Sequence, residues 1–358
     1  PNGIVFGENA LLDIGGSFVG TTADSIKFAD DIEFSAKNPQ NTSLITVSVP
    51  LGLQYGTNPG KIEINGWGDI ERGIPELYDP KSGLKVLSNK TLALLGGDVL
   101  LNGATLKADS GRIELGSVAE EGLVSIVPLE EGFDFGFDNV DNFGDIQLSQ
   151  NTAVDTSGNG AGSIKVTSKN LSLADNSVIA STQTGTEKSA GIVINSTESI
   201  NLNGENDVRF NDTFIPSGLY ANNVSGNATE NMGNISISTQ QLTVQNGATV
   251  TTNVWGAGNG GNIDIQVDNL GIEGGAIVSA STYSSGNGGS LKIDADNIEI
   301  IGELSVSAKE NSTGNTGDLN INTNNLLLKD GGFIFAGTSG EGNGGDLNIV
   351  AENIKAIG

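Results

Sequence analysis

The sequence contains no cysteine and no histidine among its 358 residues. The absence of cysteine excludes disulfide bonds, thiolate metal sites and a cysteine nucleophile. The absence of histidine removes the side chain that serves most often as general base and as transition-metal ligand. The fold must therefore be stabilised by something other than disulfides, and carboxylates are the remaining candidates for acid–base chemistry.

Basic and aromatic residues are scarce as well. Lys and Arg number 17 against 43 Asp and Glu, which gives a net charge of −26, and aromatic residues make up 5%. Contacts to phosphate need clustered Lys and Arg, so this charge argues against binding to nucleic acid and to anionic membrane surfaces. No apolar run reaches about 18 residues, so no transmembrane helix is predicted. The sequence shows no signal peptide and begins at Pro1, which indicates an excised piece of a longer protein.

Glycine, in contrast, is abundant at 52 residues, and part of it recurs at a fixed interval. The sequence GNGGNIDIQVDNLGI is followed by three related sequences, each 28 residues further along. Such spacing is typical of a solenoid in which each repeat is one structural unit. Glycine at the turn is expected to allow positive φ and a close approach of adjacent coils. The anchoring glycines of five turns are Gly233, Gly261, Gly289, Gly317 and Gly345.

Apolar residues follow each anchor at positions two and four, with polar residues between them, and again near positions nine and seventeen. A period of two is typical of a strand with one buried face, and no segment carries a 3.6-residue apolar stripe. The predicted fold class is all-β: a single-stranded parallel β-helix with three strands per coil and about 28 residues per regular coil. Each strand would pair with its counterpart about 4.8 Å away. One interior column is expected to contain Val250, Val278, Val306 and Ile334.

An asparagine occupies the same place in several repeats, just before the second strand. Asn tolerates the left-handed conformation at a corner, and a stacked Asn can hydrogen-bond its counterparts in neighbouring coils. We therefore predict a structural Asn ladder; the alternative is that Asn serves only as a good turn former. The ladder residues are Asn170, Asn269, Asn297, Asn325 and Asn353.

The first part of the chain is less regular. Residues 1–150 predict shorter or irregular coils of the same helix, with loops outside the coil. One loop is expected at Glu71–Val86, which contains two prolines and no alternation. The acidic and aromatic segment Glu130–Asp145 is expected to form an edge or a lateral strand pair.

Residues 151–358 predict the regular coils, interrupted by one insert. The spacing of 42 residues between Gly191 and Gly233 exceeds the regular interval and places the insert within Glu205–Gly218. Asn195 falls where the pattern expects a buried aliphatic residue, so either the register slips there or the coil is locally imperfect. Loops on a rigid scaffold are where ligand contacts concentrate. The insert and the loop at 71–86 are therefore candidate contact surfaces.

Two binding motifs have only superficial counterparts in the sequence. Gly256–Gly261 matches the dinucleotide pattern G-x-G-x-x-G, but no helix follows it, so nucleotide binding is not predicted. Calcium-binding β-rolls repeat every nine residues with a fixed aspartate, whereas the interval here is 28. Diffuse attraction of cations to the acidic surface is favoured over specific calcium, and no cofactor is predicted.

Parallel β-helices also include polysaccharide-cleaving enzymes, in which paired carboxylates could perform acid–base chemistry. The best carboxylate cluster consists of Asp134, Asp138, Asp141 and Asp145. A solvated acidic face is the alternative interpretation, and the lack of histidine favours it. Trp255 is expected to pack at a strand end rather than bind a sugar. No catalytic, cofactor-binding or metal-binding residue is therefore predicted.

Two segments, PNGIVFGENALLDIGGSFVGTTADS at 1–25 and GGDVLLNGATLKADSGRIELGSVAEEG at 96–122, carry a family resemblance. They resemble the secretion domain of two-partner-secretion exoproteins, the filamentous-haemagglutinin-like family in its cyanobacterial form. The family's Asn-Pro-Asn-Gly-Ile signature corresponds to Pro1, Asn2, Gly3 and Ile4, without the leading Asn. The resemblance implies a right-handed parallel β-helix, exported through an outer-membrane β-barrel transporter. It also implies that the start of the secretion domain precedes this sequence.

The sequence thus predicts a non-catalytic exported protein, located extracellularly or at the cell surface, that works as an adhesin or structural fibre. The alternatives are a β-helical carbohydrate-active enzyme and a cation-binding extracellular matrix protein. Expected partners are the outer-membrane transporter, by resemblance, and an unidentified surface or glycan ligand, but no nucleic acid. Because neither end of the sequence carries a recognisable cap, end-to-end self-association along the helix axis is also expected.

Overall fold

The computed structural model describes residues 2–29, 32–37, 49–68, 83–204, 216–226 and 228–358. Over these ranges the chain forms strands and no helix, so none of them contains a helix able to cross a membrane. The strands are β1 (Ile4–Phe6), β2 (Phe18–Thr21), β3 (Ser25–Phe28), β4 (Glu33–Ser35), β5 (Pro50–Tyr55), β6 (Ile62–Asn65), β7 (Leu84–Val86), β8 (Thr91–Gly96), β9 (Val99–Asn102), β10 (Thr105–Ala108), β11 (Arg112–Ser117), β12 (Gly122–Leu129), β13 (Gly132–Asn139), β14 (Asp145–Ser149), β15 (Ala153–Asp155), β16 (Ser163–Leu173), β17 (Val178–Ala180), β18 (Gly191–Asn203), β19 (Gly218–Tyr220), β20 (Asn234–Gln245), β21 (Thr249–Thr251), β22 (Ile263–Ile272), β23 (Ile277–Thr282), β24 (Leu291–Ile300), β25 (Glu303–Ala308), β26 (Leu319–Lys329), β27 (Phe333–Thr338) and β28 (Leu347–Ile357).

Two parallel sheets wind together along the chain. The larger has 14 described strands, in the order β1-β6-β9-β14-β16-β18-β20-β22-β24-β26-β28, with β2, β8 and β11 joined at its side. The smaller has nine, in the order β7-β10-β15-β17-β19-β21-β23-β25-β27. Neighbours in each sheet are successive passes of the chain around one interior. The chain is therefore a parallel β-helix, which confirms the predicted fold class.

Each regular coil has three strand segments, but the first two form one continuous bent strand. β22 pairs with β24 from Ile263 to Val267 and again from Asn269 to Ile272, and the pairing is interrupted at Asp268. Buried side chains at 263, 265 and 267 are followed by buried ones at 270 and 272, so the corner shifts the alternation by one residue. Both segments thus keep their aliphatic residues in the same core.

The first two segments of β20 to β28 pair residues that are 28 apart. Aliphatic residues consequently lie in columns, and each buried one contributes about 1.5–3 kcal/mol through removal from water. One column, with at most 2% exposure of any member, contains Ile237, Ile265, Ile293 and Ile321.

The third segment departs from this interval, and the expected column of Val250, Val278, Val306 and Ile334 is wrong at Val306. Val278 pairs with Leu304, and Leu304 pairs with Ile334, so Val306 lies two residues further along its strand. The turn before β25 is two residues shorter than the turn before β23, and the loop after β25 is two residues longer. Because side chains alternate with a period of two, this compensated shift keeps aliphatic residues inward.

Backbone proximity explains the glycine of each regular turn. A Cβ added to Gly289 would lie 1.8 Å from the carbonyl oxygen of Gly261, and one added to Gly261 would lie 1.9 Å from that of Gly233. The corresponding distances at Gly317 and Gly345 are 2.3 and 1.9 Å. The expectation of positive φ at these anchors is wrong, since none of them adopts it. The close approach of consecutive coils is the reason why these positions carry glycine.

The chain slips by one residue at the coil of β18. Gly191 pairs with Asn234, the residue after the next anchor, so Ile192 and Ile194 take the inward positions. Asn195 is exposed, and the register slip accounts for its polar side chain. Residues 205–215 of the expected insert lie outside the described residues. Its expected end at Gly218 is wrong, because Gly218 begins β19 and pairs within the coil.

The earlier part of the chain carries a second layer on the coil. Five strands form an antiparallel sheet in the order β13-β12-β5-β3-β4. The segment Glu130–Asp145, expected to form an edge or a lateral strand pair, contains β13, which is the edge strand of this sheet and pairs with β12. The buried Tyr55 of this lateral sheet donates its hydroxyl hydrogen to the carbonyl of Leu95 in β8, at 2.8 Å. Residues 71–82 of the expected loop at Glu71–Val86 are not described. Its last three residues form β7, which pairs with β10, so the expected loop is wrong there.

Candidate functional site

Four charged side chains meet where the lateral sheet packs on the coil; we call them the junction cluster. Arg112 and Glu114 lie two apart in β11, Lys165 of β16 pairs in register with Glu114, and Asp134 comes from β13. Lys165 Nζ lies 3.2 Å from Asp134 Oδ1 and also donates to the carbonyl of Phe135. Arg112 Nη1 lies 3.1 Å from Glu114 Oε1 and 3.7 Å from Asp134 Oδ1. The cluster therefore ties the β13 edge of the lateral sheet to two neighbouring coils.

Burial separates the two carboxyl groups of the junction cluster. Only 1% of the Glu114 side chain is exposed, and this burial, followed by its hydrogen bond with Asp134, raises the pKa of Glu114 to about 8. Lys165 and Arg112 favour the ionised form but do not outweigh these effects. Burial also opposes ionisation of Asp134, yet its hydrogen bond with Glu114 and the charge of Lys165 leave the pKa of Asp134 lowered. At neutral pH a protonated Glu114 thus donates to an ionised Asp134.

Stability should depend on pH through Glu114. In the unfolded chain a glutamate has a pKa of about 4.3, so between that pH and about 8 the folded state binds the additional proton. The stabilising contribution is complete below the unfolded pKa and is lost as pH rises toward the folded pKa. In Glu114→Gln, the neutral amide can replace the protonated acid. We expect the urea midpoint of the wild type, relative to this variant, to fall steadily between pH 4.5 and 8.5. A difference that stays constant over this range would contradict the assignment.

The four aspartates that the sequence grouped as candidate acid–base residues do not form one cluster in the structure. Asp134 belongs to the junction cluster, and Asp145 accepts a hydrogen bond from the side chain of Asn170 at 2.8 Å. Asp138 and Asp141 are exposed. Asp134 is instead paired with Glu114, whose role the sequence did not reveal. This pair is anchored to two cations beneath a packed hairpin, which is an arrangement that holds sheets together.

A second charged group, not foreseen from the sequence, lies on the smaller sheet. Lys107 of β10 places its Nζ 3.0 Å from Asp155 Oδ2 and 3.1 Å from Asp109 Oδ1, and donates to the carbonyl of Ser157 at 3.1 Å. The side chains of Lys107 and Asp155 are each only 4% exposed. Because β10 and β15 pair these two residues in register, the ion pair links consecutive coils.

The signature residues of the first strand lie at one edge of the larger sheet. Pro1 lies outside the described residues, and Asn2 is exposed. Gly3 has a φ of +125°, and a Cβ there would lie 2.8 Å from the carbonyl oxygen of Lys61. The amide of Ile4 donates to that same oxygen at 2.9 Å, which starts the pairing of β1 with β6. Glycine in this signature is thus required by both conformation and space.

The residues of the predicted Asn ladder share one column but form two separate groups. The side-chain amides of Asn297, Asn325 and Asn353 each donate to the oxygen of the asparagine one coil earlier, at 2.9, 2.8 and 3.0 Å. Asn269 is the first acceptor of this run. Asn170 lies three coils earlier, and Ser199 and Gln241 occupy the column between them. Asn170 bonds Asp145 and Ser199 instead.

The two tryptophans lie in different environments. Trp255 stacks on Tyr283 of the next coil, with ring centroids 4.8 Å apart and planes at 10°. Trp255 is 38% exposed and Tyr283 is 39% exposed. Trp67 is 63% exposed and donates its indole N–H to Asn9 at 3.4 Å. Trp255 therefore packs laterally between coils.

The described ranges contain no group of three or more carboxylates placed to hold a metal ion. On the regular coils, the carboxylate of Asp294 is paired with Lys292 two residues earlier in β24.

Comparison with known proteins identifies the first part of the chain. Residues 1–166 match the family model of the TPS secretion domain. No curated protein and no solved structure matches the chain. Residues 1–166 contain the lateral sheet, the signature strand and all four junction residues. This part of the chain is the secretion domain of a two-partner-secretion exoprotein, as its resemblance had implied.

Proposed function

We propose that this exoprotein works outside the outer membrane as an adhesin or structural fibre, without catalytic activity. The secretion domain engages the outer-membrane transporter of its two-partner system, and the regular coils form the part that acts at the cell surface. The observation that carries this proposal is the continuity of the secretion domain with the repeats. The family match ends at residue 166, inside β16, and β16 pairs with β11 and β14 on one side and with β18 on the other.

A shared strand makes the secretion domain and the repeats one continuous solenoid. The boundary expected at residue 150 comes directly after β14, and β14 pairs with β16 in the same sheet one coil later. Solenoids gain stability by stacking coil on coil, so such a chain forms a stiff rod without disulfides. The net charge of −26 keeps the lateral surfaces of neighbouring rods apart. A stiff, soluble rod suits display at a distance from the cell surface.

Transporter-dependent secretion tests this proposal. The chain, preceded by a cleavable signal peptide and by the start of its secretion domain, would be expressed with and without the outer-membrane transporter of its own system. A matched chain of residues 167–358 would serve as the control that lacks the secretion domain. We expect the full chain to reach the medium or cell surface only with the transporter, and the control to remain in the periplasm. Equal export of both chains, or no dependence on the transporter, would refute it.

The alternative of a carbohydrate-cleaving enzyme has one observation in its favour, the Glu114–Asp134 carboxyl pair. Both members are paired with Arg112 or Lys165, and they are hydrogen-bonded to each other, so their charges and their proton are already engaged within the protein. We therefore propose a structural role for the pair. Sustained release of reducing ends from polysaccharides by the purified chain, abolished in Asp134→Asn, would overturn this proposal.

A further inference from the structure

A groove lined by both polar and apolar residues follows the Asn ladder on the outward face of the regular coils. It has a volume of about 440 Å³ and crosses the four coils of β20, β22, β24 and β26. Two adjacent columns of outward side chains line it, and we call it the ladder groove. The first column is Gln241, Asn269, Asn297 and Asn325; the second is Thr243, Gly271, Glu299 and Leu327.

Gly271 opens the ladder groove in its second coil. A Cβ at this position would have no heavy atom within 4 Å, and its φ is not positive, so neither crowding nor backbone conformation requires glycine. This distinguishes it from the anchoring Gly289, where the adjacent coil excludes any side chain. Glycine inside a strand weakens it and often marks a place where a ligand approaches the backbone. The missing side chain leaves the backbone of β22 accessible within the groove.

The ladder leaves hydrogen-bonding capacity on the groove side. Asn297 donates one N–H to Asn269 at 2.9 Å and accepts one from Asn325 at 2.8 Å. A side-chain amide has two N–H donors and two acceptor lone pairs, so one of each remains on Asn297, which is exposed. Asn325, which donates to Asn297 and accepts from Asn353, repeats this arrangement one coil later, about 4.8 Å away. A hydroxyl group both donates and accepts, so a chain of hydroxyl-bearing units complements this array.

The charges near the ladder groove exclude a polyanion. Glu299 is paired with Lys329 at 2.6 Å, and Glu273 adds a further carboxylate to the lining. The chain as a whole carries a charge of −26. Clustered Lys or Arg, which acidic polymers need, is absent from the lining residues. The groove therefore fits an uncharged polymer.

We propose that the ladder groove binds a neutral, hydroxyl-rich polysaccharide laid along the helix axis. This inference rests on the proposed adhesive function and names the class of its ligand. The lining contains no aromatic side chain for sugar stacking, so the contacts are hydrogen bonds to the polar column together with packing against the apolar side chain of Leu327. Affinity comes from several coils that engage one polymer at once, as in other multivalent binding.

Affinity electrophoresis of the full chain tests the proposal. The native gels would contain hydroxyethyl cellulose as the neutral polymer, polygalacturonate as the acidic one, or no polymer. Gly271→Gln places a neutral side chain in the open space of the groove and is expected to fold. Ser236→Gln adds the same side chain to the outward face of the adjoining segment of β20, outside the groove, and is the matched control. We expect hydroxyethyl cellulose to retard the wild type and Ser236→Gln equally, and Gly271→Gln with at least about tenfold lower affinity.

Each other outcome overturns the proposal. Equal retardation of Gly271→Gln and the wild type would place binding elsewhere, and retardation only by polygalacturonate would reverse the assigned charge. Relief of the retardation by a free neutral Gly/Ser peptide, but not by free hydroxyethyl cellulose, would identify a peptide groove. The absence of retardation in any gel would also refute it. The groove lies outside residues 1–166, which match the secretion domain, and the secretion experiment measures export rather than polymer binding, so the two proposals can fail independently.

Discussion

Gly289→Ala should destabilise the regular coils by about 3 kcal/mol or more, because the added methyl group meets backbone that cannot move independently. Its Cβ would lie 1.8 Å from the carbonyl oxygen of Gly261 and 2.6 Å from the carbonyl carbon. This clash can be relieved only if the adjacent coils separate, and that separation weakens the parallel hydrogen bonds on both sides of the substituted coil. The free energy of urea unfolding measures the total effect. Because coils interact only with their neighbours, hydrogen exchange should locate the loss in β22 and β24.

Gly271→Ala is the matched control for this prediction. It lies in β22, 18 residues from Gly289, and its Cβ would meet no heavy atom within 4 Å. Replacing glycine in a strand by alanine reduces the freedom of the unfolded chain, so we expect a gain of about 0.5–1 kcal/mol. Equal destabilisation by the two substitutions would contradict the steric explanation of the repeated glycines.

Lys107→Met should cost about 3–5 kcal/mol of unfolding free energy, since it leaves the buried carboxylate of Asp155 without its cation. Both side chains are only 4% exposed, and their charged atoms lie 3.0 Å apart. The remaining partner of that carboxylate is the amide of Ser157, which donates to Oδ1 at 2.7 Å. Urea unfolding at neutral pH measures the effect.

The double variant Lys107→Met/Asp155→Asn separates the charge from the packing. Asparagine keeps an acceptor for the Ser157 amide while it removes the unpaired charge, so most of the lost stability should return. A buried pair replaced on both sides is often close to neutral. If the double variant is as unstable as Lys107→Met alone, the loss has a cause other than the uncompensated carboxylate.

The repeated columns were predictable because each depends on local spacing. The positions of Ile265 and Ile293 follow from alternation and from the 28-residue interval, and the structure pairs them directly. Val306 was misplaced because a turn shortened by two residues is cancelled by a longer loop later in the same repeat. The interval between anchoring glycines does not change, so it cannot reveal a compensated shift. Only the pairing of β23 with β25 shows it.

The junction cluster could not be predicted because its parts come from separate layers. Arg112 and Glu114 alternate on one face of β11, a pattern that is equally typical of a solvated face. Their burial depends on β13, which crosses them as part of an antiparallel sheet. The sequence did single out Asp134, but as one of four aspartates, without its partners. Long-range packing, rather than any local motif, determines the pKa of Glu114.

The lack of native cysteine permits a direct measurement of how the coils stack. The structure pairs Ser281 with Ser307, whose hydroxyl oxygens lie 2.8 Å apart, although these residues are 26 apart in sequence. In-register neighbours at about 4.8 Å are within disulfide reach, whereas a two-residue offset gives a Cα separation of about 8 Å, which is too long. After oxidation, peptide mass analysis should find a disulfide in Ser281→Cys/Ser307→Cys and free thiols in Ser279→Cys/Ser307→Cys, whose residues are 28 apart. A disulfide in the second variant and free thiols in the first would contradict the stacked coils and their compensated shift.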